Sequence, residues 1–159
     1  MKIEVDVSRQ ALKLFDDDGN RQFESSVSTA KNGIGELKNS ECTPLGLHVI
    51  RAKIGAGCSE NTIFVGRRPT GEIYRKAMRS QFPNRDWILT RILWLSGKEP
   101  GKNRLGNVDT MSRYVYIHGA PDDDPMGVPG SKGCVKMRNA DIIKLYNQVP
   151  VGTTVEIFS

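Results

Sequence analysis

The chain has 159 residues, of which 38% are hydrophobic and 26% are charged, and this composition is typical of a single globular domain spanning residues 1–159. No apolar run approaches the length that a bilayer requires, which excludes a membrane-spanning protein, and three cysteines are too few and odd in number for a disulfide framework. The net charge of +5 is spread along the chain, which favours a small anionic ligand over nucleic acid.

The N-terminal part of the sequence predicts short antiparallel strands. Apolar and polar residues alternate over residues 3–7 and again over 11–15, with the period of two that half-buried strands show. The run DDDGN follows at residues 16–20, and its Asp, Asn and Gly residues favour a tight turn. The next run, RQFESSVS, is therefore expected to return as an antiparallel partner.

Further strands are predicted along the middle of the chain. LGLHVIRAKIG and TIFVG have the composition of strands, and WILTRILWLSG is apolar enough to be a buried one. RYVYIHG predicts a strand that ends at His118. RKAMRSQFPN and GKEPGKNRLGN are expected to be loops, the first with at most a helical turn.

One helix is predicted, on the C-terminal side. Asn139 is a suitable N-cap, Asp141 lies in the first turn where a negative charge suits the helix dipole, and Pro150 ends the helix. VGTTVEIF then predicts a closing strand. The sequence thus predicts a mainly β fold, with β-sandwich-like mixed sheets and one C-terminal-side α-helix.

Cys134 is the cysteine with the most suggestive neighbours. Lys132, Lys136 and Arg138 lie within four residues of it, and cations favour the thiolate, so we expect its pKa to be lowered. Gly133 allows the backbone to approach a substrate, and the consecutive N–H groups of SKGC can face a developing oxyanion.

His118 is the candidate base for this thiol, because the second histidine, His48, lies among apolar strand residues and is expected to be structural. A Cys–His pair with backbone donors is sufficient to make and break a thioester. Two alternatives stay open. Cys134 can be a small buried hydrophobic residue with His118 at a strand end, or the pair can belong to a metal site, although no CxxC or HxxxH spacing supports one. The acidic run 122–124 is expected to be a solvated loop.

The segments YIHG and SKGCVKMRNAD together resemble the signature of the L,D-transpeptidase catalytic domain, also called the YkuD domain. IEVDVSRQALKLF, AKNGIGE, TPLGLHVI and PVGTTVEI resemble other parts of the same domain, so the resemblance covers nearly the whole chain. It implies the L,D-transpeptidase catalytic-domain fold and peptidoglycan stem peptides or muropeptides as partners. It implies no metal and no organic cofactor, and the composition and charge lead us to expect no nucleic-acid and no membrane partner.

The resemblance also implies roles for the motif residues. Cys134 would be the nucleophile and His118 the proton carrier, with the backbone carbonyl of Gly119 orienting the imidazole. Ser131 would support the site, and Gly133 and Cys134 would supply oxyanion N–H groups.

Two motif positions differ from the usual pattern of the family. Lys132 stands where many members have His, and Lys136 stands where Arg is usual. Lysine keeps the charge but lacks the bidentate fork that binds a carboxylate. The implied substrate-binding residues are Tyr116, Lys132, Lys136, Arg138 and Asn139, with Lys136 or Arg138 as a candidate for binding a carboxylate.

The resemblance implies that Cys134 attacks the carbonyl of the third stem residue, a diaminopimelate with an L centre, and expels the terminal D-Ala. If water then accepts the acyl group, the protein is an L,D-carboxypeptidase of peptidoglycan recycling. If an amine accepts it, the product is a 3,3-crosslink or an exchanged D-amino acid. The N-terminal sequence lacks the basic and apolar regions of a secretory signal, which predicts a cytoplasmic enzyme and favours water. A removed leader would instead imply a periplasmic transpeptidase.

Two function classes other than an L,D-transpeptidase or L,D-carboxypeptidase stay open. A cysteine amidase or peptidase would use the same Cys–His pair on other amide bonds. A muropeptide-binding module would keep the fold without turnover.

Overall fold

A computed structural model describes residues 1–159. It confirms the predicted mainly β fold. The ten strands are β1 (Lys2–Asp6), β2 (Ala11–Phe15), β3 (Arg21–Ser26), β4 (Gly46–Ile54), β5 (Thr62–Val65), β6 (Arg68–Ile73), β7 (Ile88–Gly97), β8 (Tyr116–Ala120), β9 (Val135–Arg138) and β10 (Thr154–Phe158). The two α-helices are α1 (Lys76–Gln81) and α2 (Asn139–Gln148), and a short 3-10 helix covers Gly106–Val108.

The strands form one mixed sheet that branches at β7. Its main path runs in the order β3-β2-β1-β10-β4-β7-β5-β6, while β8 pairs with β7 and β9 pairs with β8. The β1–β10 and β8–β9 pairs are parallel, and the other pairs are antiparallel. The long β7 strand thus carries the branch that holds the two segments of the sequence motif.

The alternating patterns near the N-terminus produce the predicted strands. Ile3, Val5, Leu12 and Leu14 are fully buried on one face of β1 and β2. The turn that joins β2 to β3 is held by Asp16, whose Oδ1 accepts the N–H groups of residues 18 and 20 at 2.9 and 2.8 Å. Period-two burial and Asp-based turn chemistry therefore fix this hairpin, as predicted.

Helix α2 packs on the sheet and completes the main core. Its buried residues Ile142, Leu145 and Tyr146 join side chains from β1, β2, β4, β7, β8, β9 and β10. The helix begins with Asn139 as its first residue and Arg138 as the N-cap, so the predicted cap was placed one residue late. The physical reason is that the Asn139 side chain is already hydrogen-bonded to Thr90 and cannot cap the helix.

A second helix, α1, forms where the sequence predicted a loop with at most a helical turn. Met78 is its buried residue, and it packs in a small cluster with Tyr74 and Trp87. One buried side chain in six residues leaves no apolar periodicity to recognise, which is why the prediction of a single helix was incomplete. Neither α1 nor α2 has the length and apolarity needed to cross a membrane.

Strand β8 extends two residues beyond the predicted end at His118. Gly119 and Ala120 continue the parallel ladder, opposite Met137 and Arg138. His118 therefore lies in the middle of a strand, buried at 1% exposure, because β9 supplies hydrogen-bond partners past the predicted end.

His48 is fully buried in β4, where its Nδ1 donates to Gly46 O at 3.0 Å and its Nε2 accepts from the Thr110 hydroxyl at 3.1 Å. Burial lowers the pKa of His48 from 6.5 to about 4. Between these values the unfolded chain binds a proton that the folded chain does not, so stability falls as the pH falls. Burial of His48 in β4 therefore makes the folded protein less stable in acid.

We expect His48→Gln to remove part of this acid sensitivity. Between pH 7 and pH 4.5 the wild type should lose about 2 to 3 kcal/mol more unfolding free energy than the variant, because glutamine does not titrate. Urea unfolding at both pH values measures the two losses. Equal losses in the two proteins would show that His48 does not titrate as described.

Candidate active site

The parallel β8–β9 pair brings the two motif segments together. Ile117 lies opposite Val135 and His118 lies opposite Lys136. Paired residues of parallel strands point to the same side of the sheet, and alternate residues share a face. Cys134, which directly precedes β9, therefore lies on the same side as His118 and Lys136, while Ile117 and Val135 face the core.

Ser131 fixes the turn that ends at Cys134. The Ser131 side chain is buried, and its hydroxyl donates to the carbonyl oxygen of Cys134 while accepting the N–H of Gly133 at 3.1 Å. Its own N–H donates to Thr29 O at 2.9 Å. The Ser131 hydroxyl thus holds the backbone of this turn, and the supporting role that the resemblance implied for it stays a prediction.

Gly133 has a conformational reason to be glycine, but its N–H is not free. Its φ of +126° lies in the region that favours glycine, and a Cβ would lie 3.3 Å from Cys42 O. Because its N–H donates to Ser131, the structure does not support the predicted oxyanion role for Gly133. The N–H groups of Cys134 and Lys132 donate no hydrogen bond within the protein and stay available to an oxyanion.

His118 is held in the tautomer that a base requires. Its Nδ1 lies 2.6 Å from Gly119 O, and since a carbonyl only accepts, Nδ1 carries the proton and Nε2 keeps a lone pair. Burial lowers the pKa of His118, and the charges of Asp86 and Asp124 partly oppose this shift. The imidazole is therefore neutral at neutral pH and able to accept a proton.

Gly119 is packed too tightly to carry a side chain. A Cβ there would lie 2.5 Å from Asn139 Oδ1 and 2.6 Å from Leu89 O. The close approach keeps β8 against β7 and α2. The carbonyl that orients His118 is thereby fixed in place.

The thiol of Cys134 is half-buried between two backbone groups of neighbouring residues. It donates to Tyr114 O at 3.6 Å and accepts the N–H of Tyr116 at 3.3 Å. Burial raises the pKa of Cys134 to about 12, although the charges of Arg113 and Lys136 act in the opposite direction. The expected lowering of this pKa is therefore wrong, because loss of hydration outweighs the neighbouring cations.

Lys136 is already neutralised by a buried acid. Its ammonium lies 3.0 Å from Asp124 Oδ2, and Asp124 also pairs with Arg79 of α1. Asp124 is only 8% exposed, so the expectation of a solvated acidic loop is wrong for this residue, while Asp122 and Asp123 are exposed. Lys136 is therefore poorly suited to bind a substrate carboxylate.

Two other predicted substrate-binding residues, Arg138 and Asn139, lie away from the thiol or inside the protein. Arg138 is exposed at the end of β9, about 13 Å along the strand from Cys134. Asn139 is fully buried, and its Oδ1 accepts from the Thr90 hydroxyl at 2.6 Å while its Nδ2 donates to Asn61 Oδ1 at 2.8 Å, so its amide is used within the protein.

Tyr116 is 4% exposed, and its hydroxyl accepts a hydrogen bond from Arg67 at 3.1 Å. Its backbone N–H, rather than its ring, reaches the thiol of Cys134. Lys132 is exposed beside the nucleophile, so among the five predicted substrate-binding residues it is the one that the structure places on the cavity next to Cys134.

A cavity of about 260 Å³ opens beside Cys134. Its charged and aromatic wall includes Lys38, Glu41, Arg113, Tyr114 and Lys132. Sequence reasoning missed Arg113, which lies in the turn before β8 and reaches the site only through the fold. Its position at the start of the RYVYIHG run was the one available signal.

No group of three or more His, Cys, Asp or Glu side chains in the structure is arranged to hold a metal ion. The arrangement at Cys134 consists instead of a thiol, a neutral imidazole and free backbone N–H groups. Such a site can form and break a thioester.

Comparison with protein families shows a match along almost the whole chain. The model of the YkuD L,D-transpeptidase catalytic domain matches residues 1–157. The probable L,D-transpeptidase ErfK/SrfK of Escherichia coli K12 is 43% identical over 47 residues, which are 30% of this chain and 15% of the relative. The putative L,D-transpeptidase YkuD of Bacillus subtilis 168 is 43% identical over 49 residues, 30% of each chain.

Solved structures show the same fold. An Enterococcus faecium L,D-transpeptidase mutant matches 99% of this chain and 49% of its own, with a TM-score of 0.59 and 18% identity. The Ldtfm-avibactam carbamoyl enzyme has a TM-score of 0.60 and 19% identity, over 99% and 48% of the two chains. L,D-transpeptidase 3 of Mycobacterium tuberculosis has a TM-score of 0.59 and 17% identity, over 99% and 60%. This chain thus spans about half to three-fifths of these proteins.

We expect Ser131→Ala to destabilise the protein by about 1 to 3 kcal/mol, because two hydrogen-bonding groups in the turn to Cys134 lose their partner. Urea unfolding of the variant and the wild type measures the loss. Ser26→Ala is a matched control, since Ser26 is exposed on β3. Equal stability of the two variants would show that the Ser131 hydroxyl does not hold the turn.

We also expect the alkylation rate of Cys134 by iodoacetamide to rise about tenfold per pH unit up to pH 10 without a plateau, since only the thiolate reacts and its pKa is about 12. Peptide mass spectrometry separates labelling at Cys134 from that at Cys42 and Cys58, and Cys134→Ala gives the background. A plateau with a midpoint below pH 8 would contradict the raised pKa.

Proposed function

Because the chain belongs to the family of L,D-transpeptidase catalytic domains, we propose that it cleaves tetrapeptide stems of peptidoglycan through a thioester on Cys134. The bond broken is that between the L centre of the third residue, diaminopimelate, and the terminal D-Ala. The observation that carries the proposal is the pairing of β8 with β9, which places the Cys134 thiol and His118 on one side of the sheet, with Nδ1 of the imidazole held by Gly119 O.

The first half of the reaction forms the acyl-enzyme. His118 Nε2 takes the thiol proton as Sγ attacks the carbonyl carbon, and the N–H of Cys134 faces the oxyanion. The C–N bond then breaks, and the imidazolium gives its proton to the departing amine of D-Ala. Because burial raises the pKa of Cys134, proton transfer accompanies attack, and no thiolate is stored beforehand.

The second half of the reaction depends on the acceptor, which we propose is water. His118 takes a proton from water as the oxygen attacks the thioester carbon. The C–S bond then breaks, the imidazolium returns its proton to Sγ, and the tripeptide leaves. A cavity of about 260 Å³ supports this choice, because it is smaller than most ligand pockets and suits the end of one stem peptide. An amine acceptor, giving crosslinking or exchange, is the second candidate.

The names of two neighbours support acyl transfer at this fold. One is described as an avibactam carbamoyl enzyme and another as a complex with a faropenem-derived adduct. Both have less than 20% sequence identity to this chain, and their ligands motivate the proposal. The cytoplasmic location predicted from the sequence likewise stays a proposal, which fractionation of cells producing the native protein would test.

We expect the purified protein to remove one D-Ala from a muropeptide whose tetrapeptide contains meso-diaminopimelate. Cys134→Ala should abolish the product, and His118→Gln should slow its formation by about a hundredfold to ten-thousandfold, because the general base is lost. Product masses with and without an added D-amino acid report the acceptor. Incorporation of the added amino acid, or a crosslinked dimer, would establish transpeptidation instead of hydrolysis.

The same masses test the other function classes. Cleavage at a different amide bond that depends on Cys134 would indicate a cysteine amidase. Binding of the muropeptide without any product would indicate a binding module.

A further inference from the structure

Arg113 is a half-buried cation that makes no ion pair. Its guanidinium donates to Cys42 O at 2.7 Å, to Gly35 O at 3.3 Å and to Ser40 Oγ at 3.4 Å. All three acceptors are neutral, so they orient the group without neutralising its charge. These contacts use three of the five N–H donors that a guanidinium carries, and the others stay available.

The charge of Arg113 contrasts with that of the other cations packed at this site. Lys136 and Arg79 share the carboxylate of Asp124. A guanidinium that is partly removed from water and makes no ion pair favours the approach of an anion, because such a pair is stronger than one in bulk water. Arg113 therefore presents a positive charge that is held in place and forms no ion pair, although the charge of Glu36 also acts on it.

This charge faces the cavity that contains the nucleophile. Arg113 and Cys134 both line the cavity of about 260 Å³, and the two groups are close enough for the Arg113 charge to act on the thiol. Lys38 and Lys132 add two further cations to the wall, against the single carboxylate of Glu41. The cavity thus favours an anionic group next to the reacting bond.

The proposed substrate carries such a group. In a tetrapeptide with a free end, the carboxylate of the terminal D-Ala lies three covalent bonds from the carbonyl carbon that Cys134 attacks. It must therefore lie near the nucleophile. Neither Lys136, which Asp124 neutralises, nor Arg138, at the far end of β9, is placed to bind it.

We propose that Arg113 binds the C-terminal carboxylate of the substrate and thereby restricts the enzyme to peptides with a free C-terminus. This inference rests on the proposed function and adds a specificity residue to it. Arg113 acts on the leaving residue and takes no part in proton transfer. An amide or a further residue at the C-terminus removes or displaces the charge that Arg113 binds.

The test compares two tetrapeptides that differ only at the C-terminus, one with a carboxylate and one with a carboxamide. We expect wild-type kcat/KM to be about tenfold to a hundredfold higher for the acid, as loss of a hydrogen bond between charged groups predicts. In Arg113→Gln the ratio of kcat/KM for the acid to kcat/KM for the amide should fall to about one. The variant should lose activity on the acid and keep its activity on the amide. Arg113→Lys should keep part of the preference, because the charge stays but the planar group is lost.

Arg51→Gln is the matched control, because Arg51 is exposed on β4, outside the cavity wall, and the change in net charge is the same. It should keep the preference of the wild type. If Arg113 only holds the segment 35–42, Arg113→Gln will lower kcat/KM for both peptides equally and leave the preference unchanged, which overturns the proposal. A wild type that does not distinguish the two peptides also overturns it.

A binding measurement separates failure of this inference from failure of the proposed function. Calorimetry with Cys134→Ala, which cannot turn over, gives the affinity for each peptide. Tighter binding of the acid that disappears in Cys134→Ala/Arg113→Gln supports the role of Arg113 even if the wild type forms no product. Equal affinities for acid and amide contradict that role, whatever the reaction.

Discussion

The parallel pairing of β8 with β9 is the constraint on which the site depends, because it places His118 and Cys134 on one face although a long loop separates them. Parallel neighbours need a crossover, for which proteins commonly use a helix. Here the crossover is the loop 121–134, so its backbone groups need other partners. Ser28 supports the pair by exchanging two backbone hydrogen bonds of 2.9 Å with Lys136, and Thr29 O accepts the N–H of Ser131. The N-terminal part of the chain thus fixes the geometry of the motif.

Burial decides how the Cys–His pair can work. It raises the pKa of Cys134 to about 12 and lowers the pKa of His118, so both groups are neutral before reaction. A thiolate–imidazolium pair stored in advance would need enough favourable charge to replace the lost hydration, and the neighbouring cations do not provide it. His118 must therefore act as a general base during attack, which makes its fixed tautomer, set by Gly119 O, more important than the acidity of the thiol.

Much of the fold and the central pair followed from local patterns. The period of two in β1 and β2 and the apolar run in β7 predicted strands, and the family resemblance, confirmed by the match over residues 1–157, implied Cys134 and His118, which the β8–β9 pairing places on one side of the sheet. The predictions that were wrong or incomplete concern residues whose contacts are distant in sequence. Asp124 is buried because Arg79 reaches it from α1, and Arg113 enters the site because its turn packs on residues 35–42. Neither partner is visible in the sequence around the motif.

The charged groups near the two ends of β8 differ. Arg113 precedes β8, Cys134 contacts Tyr114 O and the N–H of residue 116, and His118 lies further along the strand. On the His118 side, the charge of Asp86 favours the imidazolium that forms when His118 accepts a proton, and the cations Lys136 and Arg79 are both paired with Asp124. On the other side, Arg113 forms no ion pair, and its hydrogen-bond acceptors are neutral. The cation that makes no ion pair therefore lies at the start of β8, where it favours an anionic leaving residue, and the proton acceptor His118 lies further along the same strand.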